Sequence, residues 1–464
     1  MMTMQKAAQV LHGEWRGQDV RFTAVSADSR TVGCGDLFVA LIGEKFDGHD
    51  FIAEVKKKGA AAAMVCLESA AESQASGIPL ILVKDTRLGL GQLAAHWRSC
   101  FSIPVVAVTG SNGKTTVKEM IASILRRAVE AAGGADGSGG SGGSDRVLAT
   151  EGNLNNDIGV PLMLLRLRER HVYAVIEMGM NHAGEIAYLT RLTKPGVALI
   201  TNAGAAHVEG LGSLQAVACA KGEIFEGLDQ HGIAVINADD PNAPLWRKLA
   251  GNRKVVDFGL GGEPKVSARY QSDFLGSGMT LILPDGVEEV ELQVPGEHNV
   301  RNALAAAAVA VAMGIDTKAI ASGLSEFRGV KGRLQKKRGL HDATLIDDSY
   351  NANPESVRAA LAVLAKAPGK KILVLGDMGE LGDSARDFHE RIGEEARLAG
   401  VDRLFALGEL SAYAVAKFGP GARHFDKIEG LLAEVRSQLA VDVTFLIKGS
   451  RFMQMERVVK HIEL

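Results

Sequence analysis

The chain has few aromatic residues, few cysteines and almost no net charge. Aromatics make up 5% of its 464 residues, and 52 Lys+Arg against 55 Asp+Glu give a formal charge of −3. This balance argues against a nucleic-acid-coating protein, which needs basic and stacking side chains. No uninterrupted apolar run of about 18 residues occurs, so no transmembrane helix is expected. The N-terminus lacks the apolar core of a signal peptide, so we expect a cytoplasmic protein that binds neither membrane nor nucleic acid.

The four cysteines predict neither a disulfide framework nor a zinc site. Cys34, Cys66, Cys100 and Cys219 are scattered along the chain, and no CxxC pair occurs. Buried free thiols in a reducing compartment are the plain expectation.

Glycine, in contrast, is abundant, with 54 residues. Many glycines with few aromatics indicate numerous tight βα turns, hence an α/β fold. The length suggests about 3 domains at roughly 150 residues each. Changes in pattern place the boundaries so that the domains cover 1–103, 104–327 and 328–464. The segment Gly133–Ser144 holds seven glycines and three serines. We interpret it as a flexible surface insertion, because it cannot bury enough apolar surface to order itself.

Buried parallel strands are predicted from short apolar runs bounded by turns and helices. In the second unit these are Pro104–Thr109, Tyr173–Met178, Val197–Asn202 and Ile233–Asn237. Helices are predicted at Thr115–Val129 and Asn299–Met313. The third unit again alternates, with strands at Thr344–Asp347, Lys371–Leu375, Arg403–Leu407 and Thr444–Ile447, and helices at Pro354–Lys366, Ala385–Leu398 and Phe452–Ile462.

The strongest local signal is the segment TGSNGKTT, between a predicted strand and a predicted helix. Its glycines let backbone N–H groups surround phosphates at a helix N-terminus. Lys114 can reach the terminal phosphates, and the Thr115 hydroxyl can ligate Mg²⁺. Val108 stands where the full GxxxxGK[ST] pattern requires its first glycine. The segment predicts a phosphate-binding loop for ATP, comprising Thr109, Gly110, Ser111, Asn112, Gly113, Lys114, Thr115 and Thr116.

Other candidates follow the remaining strands of the second unit. Glu177 ends a strand, where a carboxylate faces the ligand crevice of an α/β sheet. Asn202 and His207 follow the next strand, and a phosphate or metal role is the better interpretation of His207. Lys221 has no clear role by composition, and a solvated helix face explains it. Asn299 and Asn302, in HNVRN, can meet a purine or phosphate, but helix capping by Asn299 explains them equally well.

Three polar segments follow strands of the third unit: DDSYNANP (Asp347–Pro354), GDMGELG (Gly376–Gly382) and KGSR (Lys448–Arg451). Each alone is an ordinary turn. Together they line one edge of a sheet, where α/β folds bind ligands.

These ordered motifs resemble the Mur ligases, the ATP-dependent amide-bond ligases of peptidoglycan precursor synthesis, over nearly the whole chain. The resemblance implies three domains: an N-terminal α/β uridine-nucleotide domain, a central P-loop ATPase-like parallel sheet and a C-terminal Rossmann-like domain. The last motifs resemble the branch that adds D-alanyl-D-alanine to UDP-N-acetylmuramoyl-tripeptide, through an acyl phosphate, with release of ADP and phosphate. The partners it implies are these small molecules, and a monomer is expected. Sequence does not distinguish diaminopimelate from lysine in the tripeptide.

The resemblance also implies roles for individual residues. Asn299, Asn302, Arg333 and Asp348 would join the ATP site, while Lys114, Glu177, His207 and Lys221 would be catalytic. Two Mg²⁺ ions would be held by Thr115 and Glu177 and by His207 and a carbamylated Lys221. The uridine-nucleotide substrate would meet Ser29, Arg30, Asn155 and Asn156. The dipeptide would meet Tyr350, Asn351, Asp377, Lys448 and Ser450.

Competing interpretations differ in what they accept as substrate. A diamino-acid-adding Mur ligase or a folylpolyglutamate synthase would use another amine. A nucleotide switch or scaffold would hydrolyse ATP slowly, without response to any amine. The three polar segments of the third unit argue against a switch, since a switch needs no amine site.

Overall fold

The computed structural model describes residues 1–133, 144–204 and 211–464. Within these ranges the chain forms three sheets that are mainly parallel and flanked by helices, and one antiparallel sheet. The prediction of a three-domain α/β fold is confirmed, and the predicted domain boundaries stay predictions. Most of the glycine- and serine-rich insertion and His207 lie outside the described residues.

The first sheet has five strands in the order β1-β5-β4-β3-β2, with β1 antiparallel. Its β4 and β5 are apolar and buried, as expected of strands covered on both faces. The strands are β1 Glu14–Arg16, β2 Ala24–Ser26, β3 Asp36–Val39, β4 Ala62–Cys66 and β5 Leu80–Val83, and the helices are α1 Met4–Val10, α2 Ile52–Lys57, α3 Ala70–Gln74 and α4 Thr86–Ser99.

The second sheet is fully parallel, with six strands in the order β11-β10-β9-β6-β8-β7. The predicted apolar runs form its centre, because buried parallel strands need apolar residues on both faces. The strands are β6 Val105–Thr109, β7 Val147–Ala149, β8 Tyr173–Glu177, β9 Val197–Ile200, β10 Ile233–Asn237 and β11 Lys254–Phe258. The described α-helices between residues 105 and 312 are α5 Lys114–Gly133, α6 Gly159–Leu164, α7 Glu185–Thr193, α8 Leu214–Gly222, α9 Ala243–Ala250 and α10 Glu297–Ala312.

An antiparallel sheet that the sequence reading missed packs beside α10. Its strands are β12 Ser267–Ser272, β13 Ser277–Leu283 and β14 Gly286–Leu292. The buried positions of β13 alternate with half-buried ones. This sheet and the following helix, α11 Thr317–Ser325, share a core with α5 and α10. They therefore support the helix that begins at Lys114.

The third sheet has the order β15-β16-β20-β17-β18-β19, parallel except for β15. The predicted strands and two of the predicted helices are found within one or two residues of their observed ends. Helix α14, strand β19 and helix α15 were not predicted. The strands are β15 Gln335–Arg338, β16 Thr344–Asp348, β17 Lys370–Gly376, β18 Arg403–Leu407, β19 Ala422–Phe425 and β20 Val443–Lys448, and the helices are α12 Pro354–Leu364, α13 Ala385–Leu398, α14 Ser411–Phe418, α15 Ile428–Ser437 and α16 Glu456–Ile462.

Three local expectations were wrong. The helix predicted from Phe452 begins at Glu456, after a short 3₁₀ turn at Arg451–Met453. Asn299 does not cap a helix, because α10 begins at Glu297 and Asn299 lies inside it. The cysteines are free but not buried: Cys34, Cys100 and Cys219 are exposed and Cys66 is half-buried.

No helix in the described part of the chain combines the length and apolar character that crossing a bilayer requires.

Helices α5 and α11 pack so closely that one position tolerates no side chain. A Cβ atom on Gly323 would lie 2.4 Å from the Ile124 Cα and 2.8 Å from the Ile124 backbone nitrogen. Ser123 supports the same contact, since its hydroxyl donates a hydrogen bond of 2.7 Å to the Gly323 carbonyl.

We expect Gly323→Ala to lower the thermal midpoint of unfolding. Overpacking costs about 1–3 kcal/mol, and backbone atoms at 2.4 Å place this site at the upper end. That cost exceeds the gain of about 1 kcal/mol from helix propensity. The control is Gly286→Ala, where a Cβ would meet nothing within 4 Å. Equal midpoints for the two variants in differential scanning calorimetry would contradict the packing argument.

Candidate active site

The glycine-rich loop connects β6 to α5 at the carboxyl end of the second sheet. Gly110 has φ +152° and Gly113 has φ +84°. A Cβ at Gly110 would lie 1.8 Å from the Thr201 hydroxyl, and one at Gly113 would lie 2.4 Å from the Asn302 amide oxygen. Both glycines are therefore required by backbone conformation and by space.

The loop is held in place by residues that follow β9. The Asn202 amide nitrogen donates to the Asn112 carbonyl at 3.0 Å, and its amide oxygen accepts from the Asn112 N–H at 2.9 Å. The Thr201 hydroxyl donates to the same carbonyl at 2.7 Å. Asn202 is therefore occupied in shaping the loop, and sequence reasoning missed this positioning role for it and Thr201.

Lys114 lies at the start of α5 and lines a cavity of about 1020 Å³. Its ammonium donates to the Gly110 carbonyl at 2.8 Å. Desolvation lowers its pKa, Arg333 lowers it further, and the carboxylates of Glu177 and Glu380 oppose the shift. Because desolvation disfavours its charge, Lys114 attracts an anionic ligand beside it more strongly than it would in water.

Glu177, at the end of β8, faces the same cavity. It is 2% exposed, and its Oε1 accepts a hydrogen bond of 2.8 Å from the Asn155 amide. Its Oε2 is buried and has no partner among the described residues. An unpartnered buried carboxylate oxygen in a cavity that Thr115 also lines fits a Mg²⁺ site with these two residues as ligands. The described residues hold no group of three or more His, Cys, Asp or Glu with metal-site geometry.

Lys221, on α8, is buried with 1% exposure. The interpretation of this residue as a solvated lysine is therefore wrong. Desolvation lowers its pKa well below the ordinary range, and the positive charge of Lys114 lowers it further. A buried lysine of this kind favours its neutral amine, which is the form that reacts with CO₂.

A second cavity of about 310 Å³ lies beside the loop and spans the second and third sheets. Asn302, Arg333 and Asp348 line it together with Asn112 and Gly113. Asn299 lines it too, and its amide donates to the Pro295 carbonyl at 2.8 Å. Asn302 in turn donates to the Asn299 amide oxygen at 3.1 Å. The structure thus brings seven of the twelve predicted ATP residues around this space: Asn112, Gly113, Thr116, Asn299, Asn302, Arg333 and Asp348.

His298 also lines this cavity and was not selected from the sequence. Its Nε2 is buried without a partner among the described residues. The histidine precedes Asn299 in HNVRN, so the motif contained the signal.

Lys448 and Asp348 form a buried pair between the ends of β20 and β16. The Lys448 ammonium lies 2.5 Å from Asp348 Oδ2 and 2.9 Å from the Asn351 carbonyl. Burial raises the pKa of Asp348 and lowers that of Lys448, and the attraction between the two opposes both shifts. Lys448 is therefore already bonded within the protein, and its predicted contact with a dipeptide stays a prediction.

Asp377 is likewise used internally. Its Oδ1 accepts from the Ser411 N–H at 2.7 Å and its Oδ2 from the Leu410 N–H at 3.3 Å, so it caps α14. Ser450 lines the larger cavity, while its hydroxyl accepts from the Gly379 N–H at 2.8 Å and donates to the Ala352 carbonyl at 3.1 Å.

Tyr350 and Asn351 line the larger cavity as expected. The Arg333 guanidinium carbon lies 4.2 Å from the Tyr350 ring centroid, and that of Arg451 lies 5.8 Å from it. Arg451 and its neighbour Phe452 were not selected from the sequence, although both line this cavity.

The predicted uridine-nucleotide residues are divided. Asn155 and Asn156 line the larger cavity. The Asn156 amide oxygen also accepts from the Gly159 N–H at 2.8 Å, at the start of α6. Ser29 and Arg30 lie in the first domain, outside that lining, and the exposed Arg30 pairs with Asp28 at 2.7 Å.

The parallel sheet, the glycine-rich loop and the half-buried Lys114 define a P-loop nucleotide-binding protein. Family models match almost the whole chain: "Mur ligase family, catalytic domain" at residues 21–98, "Mur ligase middle domain" at 108–310 and "Mur ligase, glutamate ligase domain" at 332–451. The chain belongs to the Mur ligase family.

Individual relatives match over the full length. The UDP-N-acetylmuramoyl-tripeptide–D-alanyl-D-alanine ligase of Escherichia coli (strain K12) is 42% identical, covering 100% of this chain and 98% of the relative. A MurF crystal structure from Acinetobacter baumannii has TM-score 0.88 and 36% identity, covering 99% and 98% of the two chains. The MurF ligase of Thermotoga maritima in complex with ADP has TM-score 0.79 and 28% identity, covering 94% and 96%.

The partly buried His298, whose Nε2 is inaccessible to solvent, makes stability depend on pH. Burial and the Lys448 charge lower the pKa of His298 from 6.5 to about 4, against an opposing effect of Glu297. Between these values the unfolded chain takes up a proton that the folded chain does not. At pH 5 this residue therefore lowers the free energy of unfolding by about 2 kcal/mol.

We expect His298→Asn to lose less stability than the wild type when the pH falls from 7 to 5. The measurement is the thermal midpoint of both proteins across that range. Parallel curves would show that His298 takes up its proton equally in the folded and unfolded states.

Proposed function

We propose that this chain is an ATP-dependent carboxylate–amine ligase that joins D-alanyl-D-alanine to UDP-N-acetylmuramoyl-tripeptide and releases ADP and phosphate. The observation that carries the proposal is the shared cavity. One space of about 1020 Å³ is lined by Lys114 and Glu177 of the phosphate loop region and by Tyr350, Asn351 and Ser450 of the third sheet. The full-length E. coli relative bears the name of this reaction.

The reaction proceeds in two displacements. The tripeptide carboxylate attacks the γ-phosphorus of ATP, the bond to the β-phosphate oxygen breaks, and an acyl phosphate and ADP form. The free amine of the dipeptide then attacks the acyl carbon. The amide forms as phosphate leaves, and the amine loses its proton. No side chain acts as a nucleophile, so positioning and charge stabilisation supply most of the rate.

The chain's own residues supply that stabilisation. Lys114 holds its charge beside the phosphate loop, and the loop N–H groups and the α5 N-terminus add positive potential. The desolvated setting of Lys114 strengthens its attraction to the γ-phosphate. Asn299, Asn302, Arg333 and Asp348 hold the adenosine and phosphates in the smaller cavity.

Magnesium fits the buried carboxylate of the larger cavity. We propose that Thr115 and Glu177 hold one ion, with Asn155 fixing the Glu177 carboxylate. A carbamylated Lys221, with His207, would hold a second. Bound Mg²⁺ supplies neutralisation of the phosphate oxygens.

The remaining predicted contacts belong to the ends of the larger cavity. Asn155 and Asn156 lie on the wall toward the first domain, where Ser29 and Arg30 would meet the uridine nucleotide. Tyr350, Asn351 and Ser450 lie on the wall of the third sheet, which we assign to the dipeptide. Closure of the third domain over the cleft would protect the acyl phosphate from water. We propose a cytoplasmic monomer.

Phosphate release in the presence of different amines tests the function. With ATP and UDP-N-acetylmuramoyl-tripeptide, we expect release to require D-alanyl-D-alanine and not diaminopimelate, lysine or glutamate. Stimulation by a single amino acid would identify a different ligase, and amine-independent hydrolysis would identify a switch.

Lys114→Ala should lower dipeptide-dependent release by at least about 10³-fold, because the developing phosphate charge loses its cation. The exposed Lys318→Ala is the control, and equal losses would contradict the role of Lys114.

The carbamate on Lys221 has a direct readout. After incubation with ¹³C-bicarbonate, we expect a carbamate carbonyl resonance in the wild type that is absent from Lys221→Ala. This variant should be inactive and partly restored by short carboxylic acids, which supply the missing oxygen ligands. Full activity of the variant without added acid would remove the carbamate from the mechanism.

A further inference from the structure

The larger cavity needs a cation for the carboxylate of the incoming dipeptide. This inference rests on the proposed function, in which the dipeptide amine reaches the acyl carbon near Lys114 and Glu177. The dipeptide carboxylate then lies roughly 7 Å farther along an extended chain. The tripeptide occupies the route toward the first domain, so the carboxylate points to the wall built by the third sheet.

The cations on the cavity wall are few in the described part of the chain: Arg87, Lys114, His182, Arg333 and Arg451. Arg87 forms a two-point ion pair with Asp157, at the wall toward the first domain. His182 lies 3.1 Å from Glu185 on the loop after β8. Lys114 is committed to the phosphates. None of these three lies on the third-sheet wall.

Arg333 and Arg451 remain, and they differ in what they face. Arg333 lines both cavities and so borders the nucleotide. Arg451 lines the larger cavity and does not line the smaller one. The Arg451 side chain is 57% exposed, and its Nη1 donates to Glu456 at 2.9 Å. Among the described residues, Glu456 is the hydrogen-bond acceptor for this guanidinium. Its remaining N–H groups can therefore bind a carboxylate.

The surroundings of Arg451 also fit a small apolar side chain next to a carboxylate. Phe452 is 65% exposed and lines the same wall. A Cβ on Gly379 would lie 2.9 Å from the Phe452 ring, so the ring packs directly on that glycine. An apolar surface beside a guanidinium matches a methyl group beside a terminal carboxylate.

We propose that Arg451 binds the C-terminal carboxylate of the dipeptide and makes the enzyme select a dipeptide acid. Lys448, three residues earlier, already has its carboxylate partner in Asp348.

The test compares D-alanyl-D-alanine with its C-terminal amide in the phosphate-release assay. The wild type should prefer the acid. Arg451→Met should raise KM for the acid roughly tenfold to a hundredfold, since a charge-assisted contact is lost. KM for ATP, for the tripeptide and for the amide should stay unchanged, so the preference for the acid disappears. Arg451→Lys keeps the charge without the fork and should be intermediate.

Arg386→Met is the matched control. Arg386 pairs with Glu390 four residues on, and its guanidinium carbon lies 4.8 Å from the Tyr413 ring centroid, yet it is outside the cavity lining. We expect wild-type preference from this variant. If Arg451→Met does not fold by circular dichroism, the same comparison with Arg451→Lys decides.

An unchanged preference for the acid in a folded Arg451 variant overturns the assignment alone. A wild type that shows no dipeptide-dependent release overturns the proposed function, and the assignment falls with it.

Discussion

The carboxyl ends of the second and third sheets face one cleft, and the Asn353 amide connects them. Asn353 Nδ2 donates to Asn112 Oδ1 at 2.8 Å, linking the third sheet's first loop to the phosphate loop. The same Asn353 accepts from the Ser356 N–H at 2.9 Å and so caps α12. One side chain thus fixes a helix start and the position of that helix against the nucleotide loop. Both cavities border this junction, since Asn112 lines each of them.

Buried positive charge is the second constraint at the cleft. Lys114, Lys221 and Lys448 all have lowered pKa values, and desolvation is the first cause in each. In the described part of the chain, Lys448 forms an ion pair with Asp348, whereas Lys114 is influenced by the charges of Glu177 and Glu380. Isolated buried charges are costly, so the other two sites gain most from an anion or from neutralisation. This explains how a chain of net charge −3 serves anionic substrates without a basic surface.

The sequence predicts the parts of the molecule whose chemistry is local. Strands such as β6 are continuous apolar runs, and the phosphate loop carries its glycines, lysine and hydroxyls within eight residues. The antiparallel sheet β12–β14 escaped prediction because its outward faces are polar and one of its core partners, α5, is distant in sequence. The Lys448–Asp348 pair, 100 residues apart, forms only when β16 and β20 become neighbours. No periodicity or motif contains that information.

The strand-end loops show how residues of one motif are divided between the fold and the cavity. Lys448 belongs to the buried end of β20, and Asp377 follows β17 directly and is itself buried. Both side chains are used by the fold, one in an ion pair and one at a helix N-terminus. Ser450 serves backbone groups and the cavity wall together. Within KGSR, Arg451 is the residue at which the chain leaves the packed sheet edge with its side chain exposed. Along such a loop, the first polar residues complete the fold and the later ones are free to meet a ligand.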